Sequence, residues 1–337
     1  MLVIRLSALG DVAMTIPVIY SVARRYPELR IDVLTRPFFA RLFINAPANV
    51  NVVQADLGGR HKGPAGTLKL LGELAKLRPE SVADLHNVLR SWVIDAWFLV
   101  RGVRVAMVDK TRSERRRLFS DKTPQRNYCD RYADVFARLG YQAELTFRSL
   151  FETVPAVPPF EPAHPAVGIA PFARYYNKTY PPELIRAVAR KLAAAGVNVY
   201  LFGSRGQEAH DLHAWANDDR RIVSVAGKYG IEEEIALMSR LDTMVSMDSA
   251  NQHLASLAGT PVVSVWGSTT PACGFMAYRQ NPENAVCLGL ECQPCSVAGK
   301  PTCPREHFEC MHGISPDMIV AKVLAAMKGA PSNHDAE

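Results

Sequence analysis

The chain has 337 residues, more than the roughly 100–200 of a usual single domain, so two domains are expected. Hydrophobic residues make up 48% and charged residues 21%, a globular composition that excludes a disordered, collagen-like or coiled-coil protein. Lys and Arg number 39 against 33 Asp and Glu, and residues 101–131 alone hold ten basic and four acidic residues, so the remainder is neutral. One basic patch on a neutral protein implies a localised anionic partner and argues against general nucleic-acid binding.

No apolar run approaches the roughly 18 residues of a membrane span. Arg5 and Asp11 interrupt the apolar N-terminus, and no small-residue cleavage site follows, so a cytoplasmic location is expected. From the start, short β-branched runs alternate with helical patterns. Residues 2–6, 31–35, 50–54, 82–85 and 103–108 read as strands, with helices over 15–25, 37–45, 67–77, 91–100 and 128–139 between and after them. Five prolines within residues 155–165 mark a stiff linker. The alternation then restarts, with strands over 167–170, 197–202, 222–225, 244–247 and 262–266. A helix over 182–195 ends at Gly196, and a last helix is capped by Ser315 with Pro316 at its first position. The expected architecture is α/β: an N-terminal Rossmann-like domain over 1–154, the linker over 155–165, a second such domain over 166–314, and a C-terminal helix over 315–330. The cleft between two such domains is the expected ligand site.

Neither a Walker A motif nor G-x-G-x-x-G is present. The first strand runs into Ser7-Ala8-Leu9-Gly10-Asp11, where Asp11 is either a base at the mouth of the sheet or a helix cap. The loop over 171–180 carries Lys178, either a phosphate partner or a solvated lysine. Glu208 follows a glycine-containing strand-to-helix turn, as a ribose ligand or a first-turn carboxylate. The richest segment is Asp248-Ser249-Ala250-Asn251-Gln252-His253-Leu254 with Trp266 to Thr269. Asp248 is expected to open a helix whose N–H groups form an anion site, and His253 reads as structural.

Ser7 to Asp11 with Pro17, Lys178 before Tyr180-Pro181, Asp248-Ser249 through His253-Leu254, and the tail from Cys292-Gln293-Pro294-Cys295 to Cys310-Met311, Ile314 and Pro316 stand in one order. Together they resemble the lipopolysaccharide heptosyltransferases of glycosyltransferase family 9, over about residues 1–328. The resemblance implies a GT-B fold of two Rossmann-like doubly wound domains, with acceptor on the first and nucleotide-sugar on the second. It implies inverting transfer of a heptose or related sugar from an ADP-sugar to a lipopolysaccharide core, with no metal and no resident cofactor. On the positions that match, Asp11 is the catalytic base and Lys178 contacts the diphosphate. Glu208 falls at the ribose, Tyr229 at the adenine, Asp248 at the sugar hydroxyls, and Ser249 and Ala250 beside the phosphates. His86 and Arg90 lie in an acceptor-side motif that usually has Gln where His86 stands. Ala250 replaces a frequent Gly, and Asn251-Gln252 a Leu or Met.

Inversion needs one base to take the acceptor hydroxyl proton, and the departing diphosphate is stabilised by Lys178 and helix N–H groups. A nucleotide-sugar epimerase and a non-catalytic binder of anionic surfaces are the competing classes. Arg112, Arg115, Arg116 and Arg117 are read as a mobile loop of the first domain that docks an anionic glycolipid acceptor and holds the protein at the inner membrane face. Cys292, Cys295, Cys303 and Cys310 allow a four-thiolate zinc site, but the spacing after Cys295 lacks a second C-x₂-C, and free thiols are the favoured reading.

Overall fold

A computed structural model describes residues 1–329; Ala330, the end of the expected last helix, lies outside them. The chain divides into two compact units. The first comprises residues 1–112 and 126–153, and the second residues 113–125 and 154 onward.

In the first unit five strands, β1 (Leu2–Ile4), β2 (Ile31–Thr35), β3 (Val50–Gln54), β4 (Ser81–Asp84) and β5 (Arg104–Met107), form a parallel sheet in the order 3-2-1-4-5. β1 and β2 are buried throughout, which is why they read as unbroken apolar runs. Leu2, Ile4, Leu34 and Val82 form the core with Leu70, Leu74, Ile94 and Phe98 from two crossover helices.

The first helix, Leu9–Arg25, begins six residues before the expected Thr15 and runs through Pro17. Every residue from Val12 to Ala23 is buried, so tertiary packing outweighs the roughly 3 kcal/mol that an interior proline costs. The helix expected over 37–45 is a single turn, Pro37–Ala40.

The second unit holds β6 (Ala166–Ala170), β7 (Asn198–Leu201), β8 (Ile222–Ser224), β9 (Thr243–Met247), β10 (Val262–Val265) and β11 (Ala285–Val286). They form a parallel sheet in the order 11-10-9-6-7-8, the doubly wound Rossmann order read from one edge. β11 has two residues, too few to show a periodicity, and the sequence reading misses it. The Pro182–Ala194 helix packs beside Pro316–Gly329, and Gly196 (φ 87°) and the Ser315 hydroxyl stand at their ends as expected.

Phe160 lies against Tyr200 and Tyr229, and Arg240 donates to the Ala156 carbonyl, so the proline-rich segment packs on the second unit.

Candidate active site

In a doubly wound sheet, ligands meet the carboxyl ends of the strands where strand order reverses. In the first unit that point lies between β1 and β4. Arg5, buried just after β1, ties the two loops together: its Nη1 donates to the Leu85 carbonyl at 2.6 Å, and its Nη2 pairs with Asp11 at 2.8 Å. The same Asp11 Oδ2 accepts the Ala8 N–H at 3.1 Å. The cap geometry is therefore realised, and it occupies one oxygen; among the described residues Oδ1 has no hydrogen-bond partner, on a side chain that is 26% exposed.

His86 Nε2 lies 3.3 Å from the Ser7 hydroxyl. Burial and the neighbouring Arg5 push its pKa down to about 4, so the ring is neutral near pH 7 and presents no cation to an acceptor. Its buried Nδ1 has no hydrogen-bond partner among the described residues. Arg90 is exposed on the Leu89–Leu99 helix.

Beneath this loop sits a carboxylate pair. Asp84 Oδ1 accepts from the backbone N–H groups of His86 (2.8 Å) and Asn87 (2.9 Å), and its Oδ2 accepts from the Ser91 hydroxyl at 2.7 Å. Both oxygens of Asp95 are buried without a donor, and Asp84 is within hydrogen-bonding reach. Two carboxylates, each only an acceptor when ionised, need a proton between them. Burial first, and the Asp84 charge second, hold Asp95 protonated well above the usual carboxylate range. Sequence reasoning missed Arg5 and Asp95 as site residues; the signal available was one charge in each of two apolar stretches.

In the second unit the reversal lies between β6 and β9. Lys178 ends a single 3-10 turn in the loop after β6, and its Nζ is 2.8 Å from Asp248 Oδ2, directly after β9. The two side chains are 14% and 5% exposed, which rules out a solvated loop lysine. Asp248 also accepts from the Thr269 hydroxyl at 2.5 Å and from Gln252 Nε2 at 3.1 Å. Loops after three neighbouring strands thus converge on one carboxylate. Gln252 is one of its donors.

Asp248 does not open the helix: Ser249 is the N-cap of Ala250–Ala258, and its hydroxyl lies 3.3 Å from that of Ser246. His253 is buried inside that helix, as a structural residue should be. The C-terminal tail crosses the lysine stem at Gly299 (φ 96°), where a Cβ would come within 2.6 Å of Lys178 Cδ.

Glu208 follows β7 in the first turn of Gln207–Trp215 and accepts the Ser204 N–H at 2.7 Å, which closes the glycine-containing turn. Tyr229 follows β8 against Phe160. Both lie at the carboxyl edge of this sheet, but neither bonds to Lys178 or Asp248.

A family model described as glycosyltransferase family 9 (heptosyltransferase) matches residues 68–304, most of the chain and both of these loops in the second unit. The chain belongs to glycosyltransferase family 9. It is accordingly a glycosyltransferase, and two doubly wound sheets are what the GT-B fold of that family requires. Among curated relatives it is 24% identical to lipopolysaccharide heptosyltransferase 3 of Escherichia coli over 77% of this chain and 81% of that one. Among solved structures it resembles a family 9 glycosyltransferase from Veillonella parvula, with TM-score 0.72, 17% identity and coverage of 98% and 97% of the two chains. It also resembles E. coli heptosyltransferase WaaC with ADP, with TM-score 0.69, 18% identity and coverage of 96% and 99%.

The reading of the basic segment in this family 9 chain needs correction. The basic segment is not a loop of the first domain: residues 112–120 form a helix, and residues 113–125 belong to the second unit. Leu118 is fully buried against Cys273 and Val297, and the Gln125 N–H bonds the Ala272 carbonyl at 2.8 Å. Arg112, Arg115, Arg116 and Arg117 all stay exposed. A single buried leucine among arginines is too weak a periodicity to read as a helix.

The seven cysteines are free thiols. No group of three metal-ligating side chains is gathered among the described residues. Burial, then the neighbouring Cys295, Cys303, Cys292 and Cys287, push the Cys310 thiol up to about 12.

Proposed function

We propose that this chain is an inverting glycosyltransferase that moves a heptose or related sugar from an ADP-sugar to a lipopolysaccharide core acceptor. The observation that carries the reading is the buried Lys178–Asp248 pair at the strand reversal of the second unit. A cation and a carboxylate held side by side suit the two ends of a nucleotide-sugar. Lys178 neutralises the diphosphate with help from the N–H groups beside Ser249 and Ala250, while Asp248 accepts hydrogen bonds from sugar hydroxyls. On this reading donor entry loosens the Lys178–Asp248 contact, and Thr269 and Gln252 keep the carboxylate in place. Glu208 and Tyr229 serve the nucleoside end. A curated relative named for lipopolysaccharide and a solved relative holding ADP support the choice of acceptor and nucleotide.

The reacting hydroxyl of the acceptor is taken by Asp11 in the first unit. Asp11 Oδ1 removes the hydroxyl proton, the freed oxygen attacks the anomeric carbon, and the bond to the diphosphate breaks on the opposite face. Arg5 holds Asp11 by its other oxygen and keeps the carboxylate oriented. No divalent metal is assigned to the step, because Lys178 and the helix N–H groups supply the positive charge. His86 and Arg90 line the acceptor side, His86 as a neutral donor or acceptor. The arginines at 112, 115, 116 and 117 dock the anionic groups of the acceptor. The protein works in the cytoplasm, peripheral to the inner membrane; no helix among the described residues is long and apolar enough to cross it.

Incubation with ADP-heptose, with and without a lipid A–core acceptor, tests the reading by mass spectrometry. The expected result is an acceptor heavier by one heptose together with ADP, formed only when both substrates are present. An altered ADP-sugar formed without acceptor, or no product with any ADP-sugar, overturns it.

A further inference from the structure

The Leu89–Leu99 helix buries one side and leaves the other bare. Ser91, Ile94, Asp95 and Phe98 face the core. On the opposite side Leu89, Trp92, Val93, Ala96, Leu99 and Val100, the residue after the helix, are exposed at helical spacing. At 100° per residue they span roughly 120° of arc, the width of a helix face meant to be covered. Leu89 is 75% exposed, Trp92 50% and Val100 80%. A soluble protein scatters exposed apolar residues singly; six on one stripe mark a contact surface.

What borders the stripe identifies the contact. Arg90, Trp97 and Arg101 follow it along one flank, and the Arg101 guanidinium lies 3.4 Å from the centre of the Trp97 ring. From residue 85 to 108 the single carboxylate is Asp95, and it is buried. An apolar stripe edged by arginine and tryptophan, with no exposed acid, matches an anionic lipid surface: aliphatic groups below the headgroups, indole rings at their level, guanidinium groups on the phosphates. A second copy of the chain fits poorly, because a two-fold contact sets Arg90 and Arg101 against their own equivalents with no acid to meet them.

We propose that the exposed face of the Leu89–Leu99 helix is the membrane-contact surface of this enzyme, lying flat on an anionic bilayer. This deepens the functional reading above and rests on it for its purpose: a lipid-anchored acceptor is met where the first unit touches the membrane. The stripe and the arginines on its flank, Arg90 and Arg101, then divide the work. The stripe supplies apolar insertion that salt does not screen, and the arginines supply salt-sensitive attraction.

The test uses the full chain with vesicles of phosphatidylcholine alone and vesicles that also contain phosphatidylglycerol. Binding is expected only to the anionic vesicles, with tryptophan emission quenched by brominated acyl chains. Trp266 and Trp215 are buried and Trp97 borders the stripe, so quenching is read in a Trp97→Phe background, where Trp92→Phe should remove most of it while the protein still binds. The triple variant Leu89→Ser, Val93→Ser, Val100→Ser should lose about tenfold or more in vesicle affinity and keep its turnover on a delipidated, water-soluble acceptor. Absence of vesicle binding, unchanged binding of the triple variant, or quenching that survives Trp92→Phe overturns the proposal. So does a concentration-dependent oligomer that the triple variant abolishes, which makes the stripe a self-interface. Should the triple variant fail to fold, the quenching in the Trp97→Phe background, with and without Trp92→Phe, decides alone. Glycosyl transfer is read separately on the soluble acceptor, so failure at the membrane leaves the functional reading standing.

Discussion

Asp11 serves two masters with two oxygens. Oδ2 is held by Arg5 and the Ala8 N–H, while Oδ1 has no hydrogen-bond partner among the described residues. Asp11→Asn keeps the shape but gives up the proton acceptor, so turnover should fall by roughly 10²–10⁴-fold with ADP affinity unchanged. Near-normal turnover in the folded variant would remove Asp11 from the chemistry. Lys178 is placed as tightly by the glycine above it as by its partner. Lys178→Ala should weaken ADP binding by about 1–3 kcal/mol in a calorimetric titration. Gly299→Ala should do likewise, because the added Cβ collides with the lysine stem and the backbone there has φ 96°. Asp95 gives a pH signature. Its folded pKa is raised, so the folded state holds a proton that the unfolded chain releases near pH ~4. The stabilisation is fully present below that pH and is lost as pH rises toward about 8. Asp95→Asn donates to Asp84 permanently, so its melting temperature should fall less than that of the unaltered protein between pH 5 and 8. Parallel pH profiles of the two proteins would show that the pair does not share a proton.

At the scale of elements, the arginine-rich helix Arg112–Ser120 shows how little can hold a segment. One buried leucine and a backbone bond from Gln125 attach it to the second unit. Truncating a buried leucine costs roughly 2–5 kcal/mol, more than a nine-residue helix of this composition can supply by itself. Leu118→Ala should therefore release the segment locally. Amide exchange across residues 113–124 should rise by about 10² or more while exchange in β6 and β9 stays as it was. Exchange that rises everywhere would mean that Leu118 supports the whole unit. The long first helix illustrates the opposite case, in which burial along twelve consecutive residues carries a proline without a break.

At the scale of the molecule there are two sheets, each with its own apolar core. A ligand stabilises only what it binds, by about 2.7 kcal/mol at a hundredfold excess over its Kd. ADP should therefore raise the calorimetric transition of the second unit, which holds Lys178 and Asp248, and leave that of the first unit in place. A single transition that moves as a whole would show that the two units unfold as one.

Sequence alone determined the alternation of strands and helices, because parallel strands buried on both faces must be apolar and their crossovers must be amphipathic. It also determined the family, through motifs whose order along the chain is itself a sequence property. Lys178, Asp248 and Asp11 were legible as candidates because each is a charge in the segment that follows a strand. What sequence left open were matters of distance. Asp11 as cap or base, and Lys178 as solvated or paired, turn on contacts of about 3 Å between residues up to 70 positions apart. Arg5 tied to Leu85 and Asp95 set against Asp84 follow from strand order and helix rotation, which no local pattern encodes. The arginine helix went to the other unit for the same reason: its one anchor is a packing contact, and packing is decided only when the chain has folded.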